Sequence, residues 1–361
     1  MITRRELLRI GAGLTLCGHA LPCLPAVTRG SLLILGGTGF IGPHLTAEAL
    51  RQGWRVTHFN RGRHTGAASG VETLIGDRNG SLEALRGRSW DVVIDDTGFV
   101  PKFVQHSAAL LSPAVGHYLF ISSVSVYASF ARPNDEDSPT GQLSDPNIEQ
   151  VTGSTYGPMK ALCEAYTLKA FPKRCAIVRP GYIVGPLDPT DRFTYWPVRA
   201  SRGGEMLAPG TPRDPIQVID VRDLAAWLMR LAASRATGCY NAVSPPRAQS
   251  MGELIVASRS ASPASGTRVT WVPEDFLAKQ WKPDDLDLPP WAPTRGDSAG
   301  FALTDTRRAQ RAGLTCRPLA ATVHDTLAWF QSLPAERQAR LHAGLDPKRE
   351  ADTLRAWHAS A

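Results

Sequence analysis

Ser31-Leu32-Leu33-Ile34-Leu35-Gly36-Gly37-Thr38-Gly39-Phe40-Ile41-Gly42-Pro43-His44-Leu45 is the stretch whose reading decides the fold. Ser31 to Leu35 is a short apolar run of the kind expected of a strand covered on both faces. Gly36, Gly39 and Gly42 follow at GxxGxxG spacing, and Pro43 to Gln52 has helical periodicity before a second strand, Arg55 to Phe59. The whole is a βαβ unit. Its turn lacks side chains just where a helix N-terminus offers free N–H groups, so a pyrophosphate could approach the backbone there.

The alternation continues outward: a helix near Ser81 to Leu85, a strand at Asp91 to Asp95, a helix around Phe103 to Leu111, a strand at His117 to Ser122, a helix from Tyr156 to Phe171 and a strand at Cys175 to Arg179. Such alternation implies parallel strands with helices on both faces. The expected class is α/β, a Rossmann-like doubly wound parallel sheet spanning residues 27–185. Past Pro186 the chain turns Pro- and Gly-rich, broken by helices at Val221 to Ala233, Gly252 to Ser260 and Thr322 to Gln331. Residues 186–333 read as a smaller substrate-capping region with elements returning to the core. The charged end, 334–361, reads as a helical tail, a surface helix or an arm on another subunit.

Composition narrows the function classes. A chain of 361 residues with 43% hydrophobic and 20% charged residues can bury a full core. The net charge of +7 is dispersed, without basic tracks interleaved with aromatics. A small-molecule partner is therefore expected, and a nucleic acid is not. Beyond the first residues no apolar run approaches the ~20 residues of a bilayer span, so membrane insertion is not expected either. The six cysteines show no CxxC spacing and no His partners at metal-ligand distance. No metal is expected, and Cys163, Cys175, Cys239 and Cys316 read as buried free thiols. At the N-terminus, Arg4-Arg5 precede the apolar run Ile10 to Leu16 and then small and Pro residues up to Ala26. This resembles a twin-arginine export signal, 1–26, and implies a periplasmic or secreted protein, the alternative being a frayed cytoplasmic extension.

The strand after the glycine turn ends in Asn60-Arg61-Gly62-Arg63, where an acid that would bond ribose hydroxyls is absent. Arg61 and Arg63 could meet a 2′-phosphate instead, which tilts the expectation from NAD towards NADP; Asn60 could serve a plain ribose. Asp77 could accept from an adenine amino group, with Arg78 beside it. Tyr156 and Lys160 form a YxxxK pair one helical turn apart on one face. A phenol with a pKa near 10 is a poor base at neutral pH, and a neighbouring cation favours its phenolate. Ser123 and Ser125 lie at the end of the strand Phe120-Ile121-Ser122-Ser123-Val124-Ser125-Val126-Tyr127, pointing towards the same crevice.

The glycine turn, the SSxxVY strand end, YxxxK and Arg179-Pro180-Gly181 together resemble the extended short-chain dehydrogenase/reductase family, the NAD-dependent epimerase/dehydratase group. The resemblance covers about Ser31 to Gln331. It implies that Ser123 bonds the substrate oxygen, that Tyr156 moves its proton, and that Lys160 holds the nicotinamide ribose and depresses the Tyr156 pKa. It likewise implies cofactor contacts from Gly36, Thr38, Gly39, Phe40, Ile41, Gly42 and Pro180, and pairing as a homodimer. Arg213-Asp214 resembles the arginine with which sugar-nucleotide enzymes grip a diphosphate, but stands farther from Asp223-Leu224-Ala225 than in those enzymes. Asp191, Arg192, Tyr195 and Trp196 could line a polyol pocket, the alternative being a structural loop with core aromatics, and Trp271, Trp281 and Trp291 could add a stacking wall or belong to the core. The resemblance implies a carbohydrate epimerase or dehydratase, and export away from a free nicotinamide pool implies that its NAD(P) is retained. The alternatives are a net dehydrogenase or reductase of a small alcohol or ketone, and a non-catalytic RNA-associated relative.

Overall fold

A computed structural model describes residues 29–63, 69–282 and 288–360. The segment expected to direct export, 1–26, lies outside them, as do Cys17 and Cys23. The first half is β1 (Gly30–Leu35), α1 (Ile41–Arg51), β2 (Trp54–Asn60), β3 (Glu72–Ile75), β4 (Trp90–Asp95), α2 (Pro101–Leu111), β5 (Val115–Ile121), α3 (Gly153–Ala170) and β6 (Cys175–Pro180). The chain then makes β7 (Tyr182–Val184), α4 (Tyr195–Ser201), β8 (Glu205–Pro209), β9 (Val218–Asp220) and α5 (Val221–Ser234) before β10 (Gly238–Ala242) rejoins the sheet. The order β10-β6-β5-β4-β1-β2-β3 is parallel throughout, as the alternation requires. The segment Ser81 to Leu85 is a single 3-10 turn at Glu83–Leu85 rather than a helix.

Strand order reverses at β1, which has β2 on one side and β4 on the other. Loops leaving β1 and β4 therefore part in opposite directions and open a crevice at their carboxyl ends. One face of the sheet is covered by α1 and α5, whose Leu45, Ala49, Leu224 and Leu228 pack with Leu32, Ile34, Val92 and Ile94. The other is covered by α2 and α3 over Leu33, Val93, Tyr118 and Phe120. The helix Val221–Ser234 thus belongs to the core of the seven-stranded sheet, while the cap has its own centre. That centre gathers α4, α6 (Met251–Ser260), α7 (Glu274–Gln280), the pairs β8 with β11 (Arg268–Val272) and β7 with β9, and part of α9 (Leu319–Gln331). Between cap and core, α8 (Arg307–Arg311) lies against β10.

The tail is not a free arm. It forms α10 (Ala335–Ala339) and α11 (Pro347–Ser360), and α11 inserts Leu354 into the cap core. Buried Glu350 binds Arg199 Nε at 2.7 Å and accepts from the Leu207 N–H at 3.0 Å. The Trp281 indole N–H donates to Thr353. Four free cysteines are present among the described residues: Cys163 and Cys175 are buried and Cys239 and Cys316 half-buried, the last in a loop. Removing one partner of a buried ion pair strands the other charge, at about 3–5 kcal/mol. Glu350→Ala should lower unfolding stability by that order in a urea titration; an unchanged midpoint would mean that α11 is detached from the cap.

Candidate active site

The glycine turn is shaped by two demands and one freedom. A Cβ on Gly42 would come within 2.2 Å of the Gly37 carbonyl carbon, so α1 packs onto the turn only without a side chain there. At Gly36 a Cβ would strike Thr97 at 2.6 Å. Gly39 differs: a Cβ there would meet nothing within 4 Å, and the residue is exposed. The protein itself does not require glycine at position 39, whereas a ligand lying on the α1 N-terminus does.

Beside this turn lies a cleft of about 350 Å³, lined by Gly36, Thr38, Gly39, Asn60, Arg61, Arg63, Asp77, Thr97, Phe99 and neighbours. It has the chemistry of an adenosine half-site, with backbone amides at one end and exposed Arg61 and Arg63 at the other. Asn60 is turned inward, donating to the Gly36 carbonyl and accepting from the Gly62 N–H, so it organises the turn. Arg78 departs from expectation. Its guanidinium is buried against Asp95 at 2.6 and 2.8 Å and against Ser107 at 2.6 Å, while Tyr118 donates to the same carboxylate. These bonds hold β4 and α2 to the loop and commit the ends of the guanidinium to Asp95 and Ser107, with Nε buried and without a hydrogen-bond partner. Phe40 N-caps α1 and Ile41 faces the core, so any contact of Ile41 with a ligand is through its main chain.

The catalytic candidates converge one strand further along. Thr152 caps α3 in a reciprocal box with Thr155, which places Tyr156 in the first turn and Lys160 one turn on. Ser123 begins a short 3-10 turn and accepts from the Ser125 N–H, its hydroxyl 3.1 Å from that of Ser125. The two segments touch at Gly157, where a Cβ would lie 2.0 Å from the Ser125 carbonyl oxygen. This contact makes the Tyr156 phenol a neighbour of Ser123. Burial raises the phenol pKa; the nearby Ser123 hydroxyl and then the charge of Arg192 pull it down.

Lys160 is buried, its Nζ donating to the carbonyls of Gly98 and Ile121 at 2.7 and 2.6 Å, above the Phe120 ring. Desolvation lowers its pKa to about 8. Behind it, Glu164 holds Arg179 through two hydrogen bonds, and Arg179 also donates to Tyr127 and to the Glu136 carbonyl, locking α3 to β6. Pro180 closes β6 at the same edge. The residues that sequence reading missed lie in the β4–α2 loop: Thr97 against the glycine turn, Gly98 under Lys160, and Phe99 with its ring 6.4 Å from that of Tyr156.

Residues 32–113 match the NAD dependent epimerase/dehydratase family. They carry β1 through α2. A relative is the chloroplast stem-loop binding protein of 41 kDa b from Arabidopsis thaliana, 26% identical over 240 residues, which are 59% of this chain and 58% of that protein. The match thus spans less than two thirds of the relative's length. Among solved structures, the Bordetella bronchiseptica enzyme WbmH in complex with NAD+ superposes with a TM-score of 0.61 at 16% identity, over 84% of this chain and 98% of that one. A UDP-glucose 4-epimerase gives 0.60 at 17%, over 84% and 98%. These likenesses are of fold: the parallel sheet with helices on both faces is shared.

Of the residues expected to line a polyol pocket, Arg192 alone reaches the centre, exposed, with its guanidinium 5.1 Å from the Tyr182 ring and its charge felt at Tyr156. Asp191 is fully buried, binding Arg337 through both oxygens and the His342 N–H, and so fastens the tail. Tyr195 and Trp196 are core residues of the cap, the Trp196 indole donating to the Pro289 carbonyl. Trp281 and Trp291 are buried in the same core, Trp291 bonded to Asp214; Trp271 is half-buried on a separate groove. Arg213 is exposed on its loop. Among the described residues no group of His, Cys, Asp and Glu is placed to hold a metal, and no helix is long and apolar enough to cross a membrane.

The glycines make a discriminating pair. Gly42→Ala should depress the melting temperature sharply, because its Cβ would overlap main chain. Gly39→Val should leave melting unchanged yet abolish dinucleotide binding in calorimetry; retained binding would exclude the turn as a phosphate cradle.

Proposed function

We propose that this protein is an NAD(P)-dependent epimerase/dehydratase-type oxidoreductase that transiently oxidises a carbinol of a carbohydrate and retains its cofactor throughout. The observation that carries this reading is the meeting of Ser123, Tyr156 and Lys160 at the carboxyl edge of the sheet, next to a glycine turn left open at Gly39. The family match to residues 32–113, and a fold shared with a UDP-glucose 4-epimerase and an NAD+-bound enzyme, support it.

When bound, the dinucleotide supplies a hydride acceptor that becomes the donor for the return step. Ser123 holds the substrate oxygen, and Tyr156 takes the hydroxyl proton and later gives it back. Arg192 and the neighbouring Ser123 hydroxyl favour the phenolate against the burial that opposes it, and Lys160 sits one turn along α3 to bind ribose. Arg61 and Arg63, both exposed at the end of β2 where no acid stands, favour a 2′-phosphate and hence NADP. The paired Arg4-Arg5 and the apolar run behind them fit export in folded form with the cofactor already loaded, which a closed redox cycle permits.

A second reading, an RNA-associated protein that keeps the fold, draws on the name of the Arabidopsis thaliana relative. A third, a net dehydrogenase or reductase, shares every site residue with the first. Mass spectrometry of the purified protein should find bound NAD(P), and NMR of incubations with sugars and nucleotide sugars should find epimer or dehydrated product without accumulating NAD(P)H. Tyr156→Phe should cost about 10²- to 10⁴-fold in turnover while keeping the dinucleotide. Steady NAD(P)H release would favour net dehydrogenation, and tight stem-loop RNA binding that displaces no cofactor and is untouched by Tyr156→Phe would favour the RNA reading. Because Arg192 lowers the Tyr156 pKa, Arg192→Gln should move the ascending limb of the kcat/KM profile to higher pH, and Arg192→Lys should restore it.

A further inference from the structure

Asp96 follows β4 directly, at the carboxyl edge where β1 and β4 part. Side chains alternate along a strand. Val93 and Asp95 turn to the α2–α3 face, Asp95 to its buried arginine partner; Val92 and Ile94 turn to the α1–α5 face, and Asp96 continues their row. Its Cβ and Oδ2 lie 3.6 Å from where a Cβ on Gly36 would stand, so the carboxyl abuts the first glycine of the turn. The residue is half-buried, and its carboxylate makes no hydrogen bond or ion pair among the described residues. Burial and then the charge of Asp95 push its pKa up to about 7, opposed by Lys160. The carboxyl is thus half-sheltered by protein, with its oxygens still open to the crevice and no protein group bonded to them.

Lys160 reaches the same edge from the opposite face and offers only donors. Asp96, when ionised, offers only acceptors. A donor and an acceptor flanking one strand end, beside a phosphate-cradling turn, are matched to a diol, whose hydroxyls each give and take a hydrogen bond. We propose that Asp96 is a positioning residue of the dinucleotide site, accepting from a hydroxyl of the ribose next to the nicotinamide while Lys160 donates to it. The assignment rests on the cofactor reading above. It gives the unpartnered carboxyl its partner and adds to the retention of the cofactor that a closed redox cycle requires. The opposite role, repulsion of the diphosphate, predicts an effect of opposite sign.

Calorimetric titration at pH 7.5 of the full protein, stripped of endogenous dinucleotide, with NAD+ and NADP+ tests this. Asp96→Asn should weaken the tighter of the two about 10- to 100-fold, the range for hydrogen bonds to a charged group. Melting of the variant without cofactor should be unchanged or raised, which separates the effect from misfolding. With analogues lacking the 2′- or the 3′-hydroxyl of the nicotinamide ribose, wild type should lose a comparable factor on one of them, and Asp96→Asn should then add less than about threefold. Between pH 7.5 and 6 the wild-type affinity should fall as Asp96 takes up its proton, and that of Asp96→Asn should not. Of the groups around it, Asp95 is bonded to Arg78, Lys160 remains largely charged over this window, and His58 across Gly37 is held by burial below its ordinary range. Equal or tighter binding by Asp96→Asn, or an undiminished effect on both analogues, overturns the proposal alone. Failure of wild type to bind either dinucleotide overturns the cofactor reading and this with it.

Discussion

Between residue 157 and the carbonyl oxygen of Ser125 there is no room for even a methyl group, since a Cβ there would approach to 2.0 Å. Glycine at this position lets α3 lie directly on the segment leaving β5, and everything chemical in the molecule depends on that approach. Ser123 and Tyr156 come from separate elements, and they are neighbours because the helix and the loop are in backbone contact. The same seating sinks Lys160 onto two carbonyls and aligns Glu164 with Arg179. Catalytic arrangements tolerate little displacement, so a constraint of backbone against backbone is a sound way to hold one.

Charge is buried around this contact in ion pairs that carry further hydrogen bonds. Arg78 with Asp95, Ser107 and Tyr118 lies below the crevice, and Arg179 with Glu164 and Tyr127 lies behind it. Each satisfies several donors and acceptors at once, which is how an ion pair survives desolvation. Asp96 and Lys160 differ, one lacking a partner and the other resting on main-chain carbonyls, and both have pKa values displaced towards neutrality by burial. Groups left so at a sheet edge are poised for a ligand, in contrast to the ion pairs around them.

The parts legible in the sequence carry a local period. The GxxGxxG turn between strand and helix, the i,i+4 spacing of Tyr156 and Lys160, and the strand–helix alternation are each contained within one element or two adjoining ones. Arg78 was misleading because its partner, Asp95, becomes visible only when strand order is known. Asp191, Tyr195 and Trp196 have the side chains of a sugar site, but the chain after Pro186 turns them into the cap, where Arg337 from the tail meets Asp191. The tail itself is rich in charge, and nothing in its composition foretells that Glu350 and Leu354 are buried. Gly157 reads as an unremarkable residue inside YxxxK until the neighbouring loop is placed.

The account stands or falls on where a dinucleotide sits. A crystal structure of the protein with NADP+ or NAD+ should place the pyrophosphate on Gly39 at the α1 N-terminus, and the nicotinamide ring with its reactive carbon within reach of the Tyr156 hydroxyl. Electron density for the dinucleotide in any other cavity, or a nicotinamide directed away from Tyr156 and Ser123, would contradict it.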